Sequence, residues 1–164
     1  MENKKEEFQD MVERYGATIA RLCNVYADDD DEAADMRQDT LINLWRGWNG
    51  FRGDAQLSTW IHRVCINTCI SFIRKDSKRP GKKRKGEESD IPEQMEQADE
   101  RQEMLRELNG LIKKLKTRER ALILLWLEDF SYDDIADVMG LNRNTVATLL
   151  RRTKQKLIEL KNNQ

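Results

Sequence analysis

The position of proline constrains the fold of this chain more than any other feature. Both prolines of the 164 residues, Pro80 and Pro92, lie in a stretch from Asp76 to about Gln97 that has no hydrophobic periodicity. On either side, apolar residues recur at intervals of three and four, the spacing of an amphipathic helix. The sequence therefore predicts an all-α protein. Because proline breaks helices, its helices should lie on either side of the proline-containing stretch. The protein consists of two small helical domains, 1–78 and 101–164, joined by a charged flexible linker at 79–100.

Three helices are predicted before the linker. The first presents one apolar face, made of Phe8, Val12, Tyr15, Ile19, Leu22 and Tyr26. The second follows a run of four aspartates, of which Asp30 or Asp31 is expected to cap it. Its apolar side is expected to hold Leu41, Leu44, Trp45 and Trp48. The third is expected to begin at a Ser58 or Thr59 cap and to end near Lys75.

After the linker, a helix–turn–helix is predicted between Tyr132 and Lys156. Ser131 is the expected cap of its first helix, and Asn142 that of its second. Gly140 lies between them, where a positive φ ends one helix and turns the chain. An earlier helix is expected to begin near Thr117, where Thr117 and Arg120 occupy the positions of a capping box without its usual Glu or Gln. The last helix has six basic residues and one acidic residue between positions 143 and 161, which suits contact with phosphates.

Charge is distributed unevenly along the chain. The net charge is only −1, which excludes the class of proteins that coat nucleic acid with a uniformly basic surface. Residues 1–50 hold 6 basic and 12 acidic side chains, residues 51–90 hold 10 and 5, and residues 91–164 hold 13 and 13. This asymmetry favours separate partners for separate segments. No apolar run is long enough for membrane insertion, the N-terminus lacks a signal-peptide pattern, and three cysteines favour a reducing, cytoplasmic location.

Three stretches together resemble the extracytoplasmic-function (ECF) sigma factors of the bacterial sigma-70 family. The stretch from Asp35 to Trp45 is similar to the family's polymerase-binding helix. Phe51-Arg52-Gly53 with 57–64 is similar to the segment that reads the −10 promoter element. Residues 131–146 are similar to the module that reads the −35 element. The resemblance covers roughly residues 8–160.

The resemblance implies a non-catalytic RNA polymerase sigma factor without cofactor or resident metal. Such a protein binds core RNA polymerase, directs it to promoter DNA and assists strand opening, and an anti-sigma factor is an expected partner. Residues 1–78 then correspond to sigma domain 2, and residues 101–164 to sigma domain 4. The core polymerase contacts are expected on one stripe of the second helix: Asp35, Gln38, Asp39, Ile42 and Arg46.

Two groups of DNA contacts follow from the same resemblance. The −10 group is Phe51, Arg52, Asp54, Gln56, Ser58, Thr59, Trp60, His62, Arg63, Asn67 and Arg74. The −35 group is Arg143, Asn144, Thr145, Ala147, Thr148, Arg151, Arg152 and Lys154. The family commonly has Lys, Ser and Arg after its Thr-Val pair, whereas this chain has Ala147, Thr148 and Leu149. Arg143, Arg151 and Arg152 are expected to contact the phosphate backbone of the DNA instead.

Two other hypotheses about the function remain open. A transcription regulator that never joins polymerase explains the C-terminal half but gives the stripe of the second helix no role. A metal or redox sensor is suggested by His62, Cys65 and Cys69, spaced three and four on one helix, with Cys23 as a fourth ligand. Cysteine on an apolar helix face is more often a small core residue. An enzyme is the weakest alternative, because the single histidine has no evident nucleophile partner and no phosphate-binding glycine loop is present.

Overall fold

The computed structural model describes residues 2–53, 56–78 and 100–164, and every regular element in them is an α-helix. The elements are α1 (Glu2–Tyr26), α2 (Asp30–Trp48), α3 (Leu57–Ser77), α4 (Glu100–Lys113), α5 (Thr117–Leu127), α6 (Tyr132–Met139) and α7 (Arg143–Asn162). Helices α1–α3 form one compact unit, and α4–α7 form a second. The expected all-α class with two helical bodies is confirmed, whereas the predicted linker lies almost wholly outside the described residues.

The first unit is a three-helix core. α1 contributes Ile19, Leu22 and Tyr26, each at most 2% exposed, and therefore packs through its predicted face. The helix begins at Glu2, earlier than the apolar pattern indicates. Met11 is buried, whereas Phe8 and Val12 are only half-buried.

α2 contributes Met36, Thr40 and Leu44 to the same core, all fully buried. Trp45 was expected in this core, but it is 48% exposed.

Three helix starts lie one or two residues from the predicted positions. The N-cap of α2 is Asp29, whose carboxylate accepts a hydrogen bond from the Glu32 amide at 2.8 Å. Asp30 and Asp31 therefore lie in the first turn, where their charges favour the helix dipole. α3 begins after Gln56 without a side-chain cap, so the predicted Ser58 or Thr59 cap is wrong. α5 is capped at Lys116, whose amide donates to Glu119 Oε2 at 3.0 Å, rather than at Thr117.

The second unit packs α7 across α4, α5 and α6. Its core includes Leu122, Ile123 and Leu125 from α5 and Ile135 from α6, all at most 1% exposed. The apolar face of α4 enters this core only at its C-terminal end, through residues 111 and 112. Consequently Met104, near the start of α4, is 69% exposed.

Candidate functional site

The outer side of α2 presents a polar stripe, defined by Asp35, Gln38, Asp39, Ile42 and Arg46. All five side chains are exposed, Ile42 to 42%. They lie opposite the buried residues of α2 because the two sets follow the 3.6-residue period with different phases. An exposed isoleucine among polar and charged groups resembles the apolar centre of a protein interface. The stripe predicted from sequence is therefore brought together on one accessible face.

An open groove of about 980 Å³ runs between α2 and α3. Its α2 wall consists largely of the stripe together with Asp29, Asp31 and Glu32, so that wall is strongly acidic. Its α3 wall includes Asn67, Phe72 and Lys75. The two walls are joined below by a hydrogen bond from Asn43 Nδ2 to Thr68 Oγ1 at 3.0 Å. Asn67, predicted as a −10 contact, thus faces the same groove as the predicted polymerase contacts.

An aromatic cluster connects the loop after α2 to the start of α3. The Phe51 and Trp60 ring centroids are 5.1 Å apart, and each ring also contacts Trp48, at 6.4 and 6.1 Å. A Cβ on Gly47 would lie 3.0 Å from Trp60 Cζ2, so the glycine permits this close approach. Both Phe51 and Trp60 remain half-buried. The cluster holds Phe51 against Trp60 and leaves both side chains partly accessible, as stacking on a base requires.

Two predicted −10 contacts lie in the protein core. Thr59 is 3% exposed and His62 is 2% exposed. The Nδ1 atom of His62 is 2.7 Å from the carbonyl oxygen of Ser58, one turn earlier on α3. The structure therefore contradicts the expectation that these two side chains face DNA. His62 instead packs inside the unit and bonds to its own helix.

The other predicted −10 residues are accessible to different degrees. Arg52, Gln56, Asn67 and Arg74 are exposed, whereas Ser58 and Arg63 are half-buried. Asp54 lies outside the described residues. Arg52 lies in the loop that follows α2, and Arg74 lies in the last turn of α3. Exposed arginines of this kind are suited to contact with a DNA backbone.

The helix–turn–helix is built as the sequence predicts. The Ser131 hydroxyl accepts from the Asp134 amide at 3.1 Å and caps α6. Gly140 has φ 67° and ends that helix in the left-handed conformation. The Asn142 side chain accepts from the Thr145 amide at 2.8 Å and caps α7. The buried face of α7 consists of Val146, Leu150 and Thr153, whereas Leu157, one turn further along, is only half-buried.

The opposite face of α7 carries the predicted −35 residues. Arg143, Asn144, Thr148, Arg151 and Arg152 are exposed, and Thr145, Ala147 and Lys154 are half-buried. Two of the cations are engaged within the unit. Arg143 Nη1 lies 3.4 Å from Asp133 Oδ2 in an exposed ion pair, and Lys154 Nζ lies 3.9 Å from the centre of the Trp126 ring.

Sequence reasoning missed three residues of this face. A shallow surface cavity of about 510 Å³ is lined by Tyr132, Ala147, Thr148, Arg151, Lys154, Gln155 and Ile158. Gln155 and Ile158 continue the helical stripe that starts at Ala147 and Arg151, so the 3.6-residue period could have found them. Tyr132 comes from α6, and only the packing of α6 on α7 brings it to this surface.

Known protein families match both helical units of the chain. Residues 11–79 match the family described as sigma-70 region 2, and residues 105–157 match sigma-70 region 4. The RNA polymerase sigma-H factor of Pseudomonas aeruginosa is 30% identical to this chain over 92% of the chain and 84% of the relative. The chain belongs to the sigma-70 family.

Further relatives place the sigma factor in the extracytoplasmic-function group. The ECF RNA polymerase sigma-E factor of Haemophilus influenzae is 27% identical over 92% of this chain and 85% of its own length. The RNA polymerase sigma factor YlaC of Bacillus subtilis is 27% identical over 97% of this chain and 92% of its own length. The protein is therefore an RNA polymerase sigma factor that acts in promoter-specific transcription initiation.

Solved structures share the fold of this sigma factor. The sigma factor RpoE of Bartonella quintana, determined in complex with the anti-sigma factor NepR, has a TM-score of 0.75 at 21% identity and covers 96% of this chain and 98% of its own. CnrH, determined with the cytosolic domain of CnrY, has a TM-score of 0.69 at 21% identity and covers 97% of this chain and 90% of its own. Among the described residues of the sigma factor, none of the helices is sufficiently long and apolar to cross a membrane.

Proposed function

We propose that this sigma factor binds core RNA polymerase through the exposed stripe of α2. The observation that carries this proposal is the accessible Ile42 flanked by Asp35, Gln38, Asp39 and Arg46. Burying an apolar side chain on a partner stabilises the complex. The flanking carboxylates select a basic partner surface and raise the rate of encounter. The protein carries no catalytic activity of its own in this proposal, and it acts in the cytoplasm with the polymerase.

Promoter recognition is divided between the two units in this proposal. Residues 1–78 form sigma domain 2, residues 79–100 the linker, and residues 101–164 sigma domain 4. In domain 2, the half-buried rings of Phe51 and Trp60 support stacking of unpaired bases from the −10 element. The exposed Arg52 in the loop after α2 and the exposed Arg74 in the last turn of α3 supply phosphate contacts. Asn67 serves either DNA or polymerase, since it faces the groove beside the α2 stripe.

Domain 4 reads the −35 element through the outer face of α7. The residues near its start, Asn144 and Thr148, are exposed and short, and therefore suit base edges in the major groove. Arg151 and Arg152, one to two turns further along, suit the phosphate backbone. Arg143 and Lys154 are held by Asp133 and Trp126 in the free protein. Both would have to leave these partners to contact phosphate.

An anti-sigma factor is the proposed regulator. The related structure of RpoE was determined in complex with the anti-sigma factor NepR, and that of CnrH in complex with the cytosolic domain of CnrY. In this chain, the acidic groove between α2 and α3 borders the proposed polymerase surface. A partner that fills the groove would compete with polymerase for the stripe. Competition between a candidate anti-sigma factor and core polymerase tests this proposal.

Run-off transcription with core polymerase and a promoter library tests the proposed function directly. The sigma factor should support transcription from a defined subset of promoters, and core polymerase alone should not. The alternative regulator binds DNA without polymerase. It would be supported if the chain bound promoter fragments but neither bound core polymerase nor started transcription.

A further inference from the structure

All three cysteines of the chain meet in the core of the first unit. Cys23 comes from α1, and Cys65 and Cys69 come from successive turns of α3. Each is fully buried. Cys23 Sγ lies 4.0 Å from Cys65 Sγ and 3.9 Å from Cys69 Sγ, and the three sulfur atoms all lie within 4.8 Å of one another. Neither the polymerase stripe nor the DNA surfaces use these side chains.

We propose that Cys23, Cys65 and Cys69 form a binding site for one thiophilic d¹⁰ metal ion, of the class that includes Zn(II) and Cu(I). Metal–thiolate bonds of about 2.3 Å place three sulfurs of a trigonal site about 4.0 Å apart. The two separations from Cys23 are 4.0 and 3.9 Å, and the third pair of sulfurs lies within 4.8 Å. Thiolates select zinc, copper(I) and related soft ions over magnesium or calcium. Three sulfurs from two helices therefore present a ligand set that closes around the ion with little movement.

The surroundings decide which ligands take part. Within the described residues, no further histidine, cysteine or carboxylate atom joins the sulfur cluster. His62 lies on the same helix, but it is not a member of the group whose ligand atoms all lie within 4.8 Å of one another. The nearest hydroxyl belongs to Thr40, whose Oγ1 is 4.0 Å from Cys65 Sγ and donates to the Met36 carbonyl oxygen. The site is thus a three-sulfur site rather than the His–Cys set that the sequence spacing suggests.

Metal uptake at this cluster is coupled to protonation, because an ion binds the thiolate and not the thiol. Metal affinity should therefore fall as the pH is lowered, since protons compete with the ion for the three sulfurs.

Metal loading of the intact protein tests the site. Full-length protein is refolded without oxygen in a small excess of Zn(II), Cd(II) or Cu(I), because refolding gives the ion access to a buried site. After desalting, we expect one ion per chain by mass spectrometry and, with Cd(II) or Cu(I), a thiolate-to-metal charge-transfer band. The melting temperature should rise by at least about 4 °C, since the ion ties α1 to α3. Comparison of the three probes identifies the preferred ion.

Single cysteine variants separate the proposed site from surface binding. Cys23→Ala, Cys65→Ala and Cys69→Ala should each bind the ion at least about tenfold more weakly. Thr40→Val changes a neighbouring buried group but removes no sulfur, so it should retain one ion per chain. If one alanine variant does not fold, the other two provide the test. The proposal is overturned if the parent, with three free thiols, takes up no stoichiometric ion. It is also overturned if folded cysteine variants bind as tightly as the parent.

Discussion

At the scale of single residues, two glycines are expected to respond to the same substitution with opposite signs. Gly140 has φ 67° at the end of α6, where a side chain is strained. Gly140→Ala should therefore destabilise the second unit by about 1 kcal/mol. Gly16 lies inside α1, and a Cβ there meets no atom within 4 Å. Gly16→Ala should stabilise the first unit by about 0.5–1 kcal/mol. Urea unfolding measures both, and equal signs would contradict the assigned backbone roles.

The cap of α7 gives a second prediction at this scale. Asn142 accepts from the Thr145 amide at 2.8 Å, so Asn142→Ala should lower the free energy of unfolding by about 1 kcal/mol. Asn142→Asp keeps an acceptor at the same place and serves as the matched control. It should unfold near the parent. Loss of stability in both variants to the same extent would indicate that the amide of Asn142, rather than the cap, is what matters.

The caps of the helix–turn–helix, Ser131, Gly140 and Asn142, were predicted correctly because a cap depends on neighbours within one turn. The caps of α2, α3 and α5 were predicted too late along the chain. His62 and Thr59 were assigned to DNA, yet both are buried. Their burial depends on how α3 rotates against α1 and α2, which one helix's pattern does not fix. Trp45 was expected in the core for the same reason, but it lies beside Phe8 at the rim, with ring centroids 5.0 Å apart.

At the scale of elements, α7 should bind DNA largely through phosphates beyond its first turn. Arg151 and Arg152 are both exposed. Replacing both with alanine should weaken promoter binding across sequences and reduce the magnitude of the salt slope by about 2. The change should leave polymerase binding unaltered. Fluorescence anisotropy over a salt series measures this effect.

A matched loss of two charges controls for the overall potential of the second unit. Lys114 and Arg118 are exposed at the junction of α4 and α5. Lys114→Ala with Arg118→Ala removes the same charge from a different surface. An equal reduction of the salt slope by both double variants would show that net charge, rather than the α7 face, determines binding.

For α2, the sequence predicts the exposed polar stripe because its polar residues recur with the helical period. Met36, Thr40 and Leu44 are buried, and Asp35, Asp39 and Ile42 are exposed on the other side. The groove is a different case. It arises from two helices, and Asn67 joins its lining only through the packing of α3 beside α2. Sequence therefore locates the stripe but not the shape of the surface around it.

At the scale of the whole molecule, charge distribution should limit DNA binding by the free protein. The net charge is −1, with 12 acidic residues among the first 50. The full-length chain should therefore bind duplex DNA weakly. A fragment of residues 101–164, which lacks this acidic segment, should bind more tightly and with strong salt dependence. Titration of both proteins with one promoter duplex at one salt concentration measures the difference, and equal affinities would contradict this account.

The two helical bodies were predictable because each has its own apolar periodicity and the prolines lie between them. The cysteine cluster was only partly predictable. Cys65 and Cys69 share a helix face by spacing, whereas the approach of Cys23 from α1, 3.9 Å from Cys69, is a product of tertiary packing. Spacing on one helix suggested His62 as a partner, but its ring nitrogens do not join the three sulfurs in one group of ligand atoms.

The affinity of an Asp39→Arg variant for core RNA polymerase tests the proposal that the α2 stripe binds the polymerase. Asp39 is exposed on the α2 stripe, so the substitution should leave the melting temperature near that of the parent. Glu13→Arg makes the same charge change on an exposed position of α1 and serves as the control. We expect Asp39→Arg to weaken polymerase binding by about fivefold or more, and we expect Glu13→Arg to bind polymerase as tightly as the parent does. Parental affinity of the folded Asp39→Arg variant, with normal transcription, would contradict the account.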